Sequence, residues 1–278
     1  MNATTRAAFG LSCDPFAADV PVEALAATPA VEAFITRVGL SLADGGFALV
    51  TGEPGTGKSV VLRLLAHRLH QYPDVTVATL EHAQSRTSDF YREIGDLFGV
   101  PLQPHNRWGG FKALRERWRE HISATLMRPV LIIDEAQEAL ATVLTELRSL
   151  SSKDFDSRQL LSIVLAGDQR LVDRLRTPEL VPLGSRIRRR LPLGNASPDE
   201  LRACLRQRLD VAGNTALVTP ELLSALVDHA VGNYRVLMNM ASDLLVAAAE
   251  RQLPRLDEKL FFDVFNELHE PKQSLRRR

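Results

Sequence analysis

The octapeptide Gly52-Glu53-Pro54-Gly55-Thr56-Gly57-Lys58-Ser59 sets glycines, a lysine and a hydroxyl at the spacing that cradles a nucleoside triphosphate. Its glycines let successive backbone N–H groups turn inward around phosphate, and a helix starting there adds its positive dipole end. Lys58 would reach the β and γ phosphates and Ser59 would ligate Mg2+, with Val60 completing the phosphate-binding set. A second constellation, Asp134-Glu135, closes the apolar run Val130-Leu131-Ile132-Ile133. Buried parallel strands read as such runs, and ligands collect at their carboxyl ends. Asp134 would hold Mg2+ directly or through water, while Glu135 would polarise the attacking water as general base. The pair argues for ATP hydrolysis as well as binding, because binding alone requires no positioned base. The plain alternatives are an ordinary glycine-rich turn and two solvated loop acids.

Several elements must position these groups. Phe47-Ala48-Leu49-Val50 reads as the strand before the phosphate loop, and the helical pattern from Val60 runs to about His70. A helix over Ala30 to Leu40 comes earlier, and Val75 to Leu80 is a second strand. Phe90, Ile94, Leu97 and Phe98 form one helical stripe, and another helix spans about Lys112 to Leu126. After the strand ending at Ile133 come a helix through Leu140, Leu144, Leu147 and Leu150, a buried strand from Leu160 to Ala166, and an edge strand from Arg188 to Leu193. Strands alternating with helices predict an α/β fold, with a parallel five-stranded sheet flanked by helices.

Beyond Pro192 the pattern is helical alone. Ser197-Pro198-Asp199-Glu200 carries a capping box with proline at the first helical position, Thr219-Pro220-Glu221 repeats a cap-then-proline start, and Asp257 opens a last helix through Phe265. The first thirty residues are short apolar pieces broken by prolines, among them Phe9-Gly10-Leu11 and Asp14-Pro15-Phe16. The expected organisation is an N-terminal arm (1–30), an α/β nucleotide-binding domain (31–193), a small all-helical lid (194–270) and a basic tail (271–278) ending in Arg276-Arg277-Arg278.

Composition bounds the rest. The 278 residues exceed one typical domain, and 45% hydrophobic content suffices for a sizeable core. Thirty-four Lys and Arg balance 34 Asp and Glu, so no global field draws polyanions and any such site must be local. Cys13 and Cys204 stand far apart in no metal-like spacing, which suits a reducing compartment. No apolar stretch approaches a membrane span and Met1-Asn2-Ala3-Thr4-Thr5-Arg6 lacks a secretion-signal core, so the expectation is a soluble, cytoplasmic protein with no membrane partner.

A phosphate-loop α/β domain followed by a helical lid resembles the AAA+ ATPases. Ser185-Arg186-Ile187 lies between the fourth and fifth strands, where that superfamily keeps an arginine finger acting on a neighbouring subunit. Gly232-Asn233-Tyr234-Arg235 resembles sensor 2, which implies that Arg235 reads the γ-phosphate. A polar sensor 1 belongs at the end of the fourth strand, where the chain reads Gly167-Asp168-Gln169; Asp168 and Gln169 both stay open.

Within the superfamily the resemblance narrows to the ExeA-like group, which includes TnsC-like ATPases encoded beside DDE transposases and similar in role to the phage Mu B protein. The residues that carry it include the arm pieces, the phosphate loop, Asp134-Glu135-Ala136-Gln137, Glu146-Leu147-Arg148-Ser149-Leu150-Ser151, Leu165-Ala166-Gly167-Asp168 and the Arg186 and Arg235 segments. This implies an ATP- and Mg2+-dependent homo-oligomer, a ring or helical filament. It would grip double-stranded DNA without sequence preference and recruit a DDE transposase. The alternative is an ExeA-like ATPase energising assembly of an envelope secretion complex. Secretion-type members continue into a membrane segment and a cell-wall-binding region, so the sequence alone leans toward transposition. Arg148 and Lys153, and the cluster Lys112, Arg115 and Arg119 near Trp108 and Trp118, are the candidate DNA contacts, and a solvated helix face is their competing explanation.

Overall fold

The computed structural model describes residues 3–80, 86–102, 106–154 and 157–267; the expected basic tail with Arg276, Arg277 and Arg278 lies outside the described residues. The chain divides into two compact units, one running from Ala27 to Gly194 and the other joining the described residues up to Ala26 to those from Asn195 on.

In chain order, helix α1 (Ala3–Ala8) opens the second unit. The first unit begins with α2 (Pro29–Leu40), β1 (Gly46–Gly52), α3 (Lys58–His70) and β2 (Val77–Leu80). It continues through α4 (Thr87–Leu97), α5 (Arg107–Thr125), β3 (Val130–Ile133) and α6 (Ala141–Ser151). A short antiparallel pair, β4 (Ser152–Lys153) and β5 (Arg158–Gln159), then precedes β6 (Ser162–Gly167), α7 (Gln169–Arg174), α8 (Val181–Gly184) and β7 (Ile187–Leu193).

The five-stranded sheet has the order β2-β3-β6-β1-β7, and every neighbouring pair is parallel. Successive strand side chains point to opposite faces. Accordingly Phe47, Leu49, Leu131, Ile133, Ile163 and Leu165 pack on one side with Phe90, Ile94, Leu114, Trp118, Leu144 and Leu147. Ala48, Val50, Val130, Ile132, Val164 and Ala166 pack on the other with Phe34, Ile35, Leu62 and Leu65. Because both faces are covered, β3 and β6 are apolar at nearly every position instead of alternating. β2 and β7 are the edge strands, and the arginines of β7 take its exposed and half-buried positions.

The second unit adds α9 (Pro198–Ala212), α10 (Pro220–Ala230), α11 (Tyr234–Glu250) and α12 (Glu258–Glu267). Ser197 caps α9 in a full capping box: its hydroxyl accepts from the Glu200 N–H at 3.2 Å, and the Glu200 carboxylate accepts from the Ser197 N–H at 2.7 Å. The N-terminal pieces belong to the same core. Phe9, Leu11 and Phe16 are buried with Leu205, Leu209, Leu222 and Leu244. Polar stitches hold them there. Buried Arg208 donates to Pro15 O (3.0 Å) and Ala17 O (3.1 Å), and Asn214 donates to Phe9 O (2.7 Å). Among the described residues no helix is long and apolar enough to cross a membrane.

Candidate functional site

Strands β3, β6 and β1 are consecutive and parallel in the sheet, so the turns that leave their carboxyl ends share one edge. The turn after β1 is the phosphate loop. Gly55 and Gly57 sit at φ +87° and +99°, where a side chain is strained, and Gly57 forms the left-handed N-cap of α3. Gly52 is required differently: a Cβ there would come within 2.4 Å of Thr56 Oγ1. Thr56 Oγ1 donates to Glu53 O at 2.8 Å and closes the loop on itself. Lys58 is only 6% exposed, and its ammonium curls back to donate to Gly52 O at 2.8 Å and Glu53 O at 3.4 Å. Phosphate oxygens would replace these carbonyls as its acceptors.

Ser59 Oγ donates to Asp134 Oδ2 at 3.2 Å, which brings the two expected Mg2+ ligands together from residues 75 positions apart. A hydroxyl beside a carboxylate is an oxygen donor set suited to Mg2+, which takes one or two protein ligands and completes its octahedron with substrate phosphate and water. Among the described residues no three His, Cys, Asp or Glu side chains gather as a metal cluster, in keeping with so sparse a set.

Glu135 follows at φ +48°, a left-handed conformation uncommon for a residue with a side chain. Its N–H donates to Asp134 Oδ1 at 2.8 Å, and its exposed carboxylate accepts from Gln137 Nε2. Gln137, only 6% exposed, also accepts from the Asp168 N–H at 3.3 Å through its other amide atom. The turn is clamped further by α7, where Arg174 donates to Gln137 O and to Ala139 O, the latter at 2.7 Å.

Both candidates for sensor 1 are occupied locally. Asp168 Oδ1 caps α7 by accepting from the Arg170 N–H at 2.9 Å, and Oδ2 accepts from the Arg170 guanidinium at 2.8 Å. That hydrogen bond holds the Asp168 carboxyl below its ordinary carboxylate range, and the Lys58 charge acts in the same direction. Arg170 also pairs with Glu138 at 2.8 Å. Gln169 Nε2 donates to Asp173 Oδ1 at 3.0 Å along α7. The buried polar group that reaches the base is therefore Gln137, which follows β3 and meets the β6 turn through the Asp168 N–H; the sequence analysis names it only within the segment that carries the resemblance. A glutamine two residues past a strand-end acid pair was the available signal.

Arg186 lies elsewhere. It precedes β7, whose Ile187 pairs with Phe47 at the start of β1, whereas the phosphate loop leaves the end of β1. Seven strand residues separate the two ends, a span of roughly 20 Å. Arg186 donates to Pro182 O and lines a 580 Å³ cleft with Arg128, Arg158, Arg188, Arg189 and Asp44. Burial, and then the neighbouring Arg188 charge, push the Arg189 guanidinium below its ordinary value. Arg235 belongs to the helical unit, exposed in the first turn of α11, whose start Asn233 caps by accepting from the Arg235 and Val236 N–H groups at 3.0 and 3.1 Å.

The expected DNA contacts divide. Arg115 is engaged locally: its guanidinium donates to Ser149 O, Leu150 O and Ser152 O at 2.9, 3.2 and 2.5 Å, closing the carboxyl end of α6. Arg119 pairs with Glu116 at 3.1 Å, and Lys153 lies 4.0 Å from Asp154. Lys112 sits 5.3 Å over the ring of Trp108, which is 65% exposed, whereas Trp118 is core at 1%. Arg148 is half-buried in the last turn of α6.

A family model described as an AAA domain matches residues 42–175, the stretch that holds the phosphate loop, Asp134, Glu135 and Asp168. Residues 42–175 are thus similar to AAA-type P-loop ATPase domains. General secretion pathway protein A of Aeromonas hydrophila is 34% identical over 249 residues, covering 87% of this chain but only 44% of that protein. This homology sits within the ExeA-like group that the sequence resembles. Solved AAA+ structures share the fold. Cdc6p from Pyrobaculum aerophilum superposes with a TM-score of 0.72 at 16% identity, over 88% of this chain and 68% of that one. The Aeropyrum pernix ORC2 protein in its ADPNP–ADP complexes gives 0.74 at 18%, over 91% and 71%. Domain III of the Thermotoga maritima replication initiation protein DnaA gives 0.58 at 18%, over 94% and 99%. The α/β fold with a parallel five-stranded sheet flanked by helices, expected from the strand and helix pattern, is the fold observed, and it matches these AAA+ neighbours as the resemblance implies.

Proposed function

We propose that this chain is a Mg2+-dependent ATPase whose ATP-bound copies associate, and that its hydrolysis cycle energises assembly of an envelope secretion complex. The observation that carries the chemistry is the Ser59–Asp134 hydrogen bond with Glu135 one residue further on, all beside the Lys58 loop. In this reading Lys58 and the loop N–H groups hold the β and γ phosphates, Ser59 and Asp134 hold Mg2+, and Glu135 takes the proton of the attacking water. Mg2+ supplies charge neutralisation at the phosphate oxygens. Arg186, about a strand length from its own phosphate loop, serves a neighbour's triphosphate. The 34% identity to General secretion pathway protein A supports this process over the transposition reading that the sequence alone favours.

The test is ATP hydrolysis by the purified chain, followed by mixing of two inactive variants. Arg186→Ala and Lys58→Ala should each lose turnover alone. Mixed, they should recover part of it, because one supplies an intact phosphate loop and the other an intact finger. Parental turnover by Arg186→Ala alone would refute action across an interface.

A second reading, a DNA-gripping regulator of a DDE transposase, is favoured by one observation: the arginine-lined cleft concentrates positive charge in a chain with no net charge. Duplex DNA should then stimulate hydrolysis with steep salt dependence. Under the secretion reading duplex DNA leaves the rate unchanged.

A further inference from the structure

We infer that Gln137 is the positioning residue of the hydrolytic base: its amide holds the Glu135 carboxylate and ties it to the backbone of the turn after β6. This rests on the ATPase reading and adds a residue to it.

The chemistry of the two partners fixes the orientation of the amide. A carboxylate accepts only and a backbone N–H donates only, so Nε2 must face Glu135 and Oε1 must face Asp168, as found. A flipped amide would set oxygen against carboxylate and NH2 against N–H. The surroundings leave Gln137 little freedom. It is buried, its carbonyl is held by Arg174, and a Cβ on Gly167 would come within 2.5 Å of its Oε1, so the glycine ending β6 makes room for it. Neither Asp168 nor Gln169 offers an uncommitted side chain at this turn, since Arg170 and Asp173 engage them. A shift of the β6 turn would therefore reach the base through Gln137, by moving the Asp168 N–H to which the amide is anchored. Glu135 gains from such a hold because it is exposed and its own backbone is left-handed.

Two substitutions separate holding the base from merely supporting the turn. Gln137→Leu removes both hydrogen bonds. Gln137→Glu keeps an oxygen acceptor for the Asp168 N–H but replaces the donor facing Glu135 with a second carboxylate. Both variants should lose turnover by roughly ten- to a hundredfold, the scale for a misplaced catalytic group. Affinity for a fluorescent ATP analogue should stay within about twofold, because the phosphate loop is untouched. Hydrogen exchange at the Asp168 amide gives a readout independent of activity: faster in Gln137→Leu and protected in Gln137→Glu. Adding Gln137→Leu to Glu135→Gln should cost nothing further, since the residues act as a unit. Parental turnover by Gln137→Glu would assign Gln137 to the turn alone and overturn the proposal. Equal losses of affinity and turnover would overturn it as well. If the parental chain hydrolyses no ATP, the ATPase reading itself falls and takes this inference with it, an outcome visible before any variant is made.

Discussion

In the α/β unit the polar groups of the site come from turns at the carboxyl ends of three adjacent parallel strands, β3, β6 and β1. In the helical unit the polar groups that matter join segments nearly the whole chain apart, as Arg208 does with Pro15 and Ala17 across separations of 193 and 191 residues. The sheet delivers chemistry by register: once β1, β3 and β6 pair, Ser59 meets Asp134 with no further instruction. The helical unit has no such register. Its N-terminal pieces, too short to form a core, are held by side chains of α9 and of the loop beyond it that satisfy their carbonyls. Substitutions in the first region should therefore change function at nearly constant stability, and in the second should change stability first.

The largest effect is expected from Lys58→Ala. Removing the ammonium deletes the one cation of the phosphate loop, and nucleotide affinity should fall by roughly a hundredfold or more. Titration with a fluorescent ATP analogue checks this, and thermal unfolding without nucleotide should change little. A large drop in unfolding temperature would instead mean that the Lys58–Gly52 bond is structural, and the contrast between the two regions would fail.

Glu135→Gln comes next. It keeps size and shape but cannot accept a proton, so turnover should fall roughly 10²- to 10⁴-fold while affinity for ATP is retained. Steady-state kinetics set beside nucleotide binding separates the two quantities. Turnover at the parental rate would remove Glu135 from the base role.

Much of the first region was legible because its signals are local. The glycine-lysine-serine spacing and the apolar run ahead of Asp134 each announce a strand-end turn, and pairing does the rest. The commitment of Asp168 was also within reach, since an N-cap with an arginine two residues on is a short-range pattern. The role of Gln137 was harder to read, because a buried glutamine in a short 3-10 turn has no periodicity to mark it, and its place two residues past the acid pair was its one signal. The N-terminal segment read as an arm from its prolines, but its burial with α9 depends on contacts about 200 residues apart, to which local propensity is blind. The backbone contacts of Arg115 were hidden for a related reason. A basic helix face looks alike whether its charges meet phosphate or the carbonyl end of a neighbouring helix.

Arg208→Ala sharpens the second half of the comparison. The substitution leaves two carbonyls without their charged donor in a buried setting and should cost about 3 kcal/mol. Chemical denaturation measures the loss, and hydrogen exchange should place it in residues 9–26 and α9. A loss within about 0.5 kcal/mol would show that apolar packing of Phe9, Leu11 and Phe16 suffices without the stitch.

The smallest effect tests whether a local signal contributes anything in the helical unit. Ser197→Ala removes the acceptor for the Glu200 N–H but leaves that donor facing water, so the expected cost is about 1 kcal/mol, below that of Arg208→Ala. The box offers an internal control, because the Glu200 carboxylate answers the Ser197 N–H independently at 2.7 Å. Glu200→Ala should cost a similar amount, and the double variant should lose less than the sum if the two halves hold one another in place. Thr219→Ala, which removes a one-way cap on α10 with its acceptor 3.3 Å from the Leu222 N–H, supplies the comparison without reciprocity. Denaturation midpoints of the four variants decide the matter: equal and additive losses would mean that the box is two separate caps, and that nothing in this unit is cooperative below the scale of the N-terminal stitch.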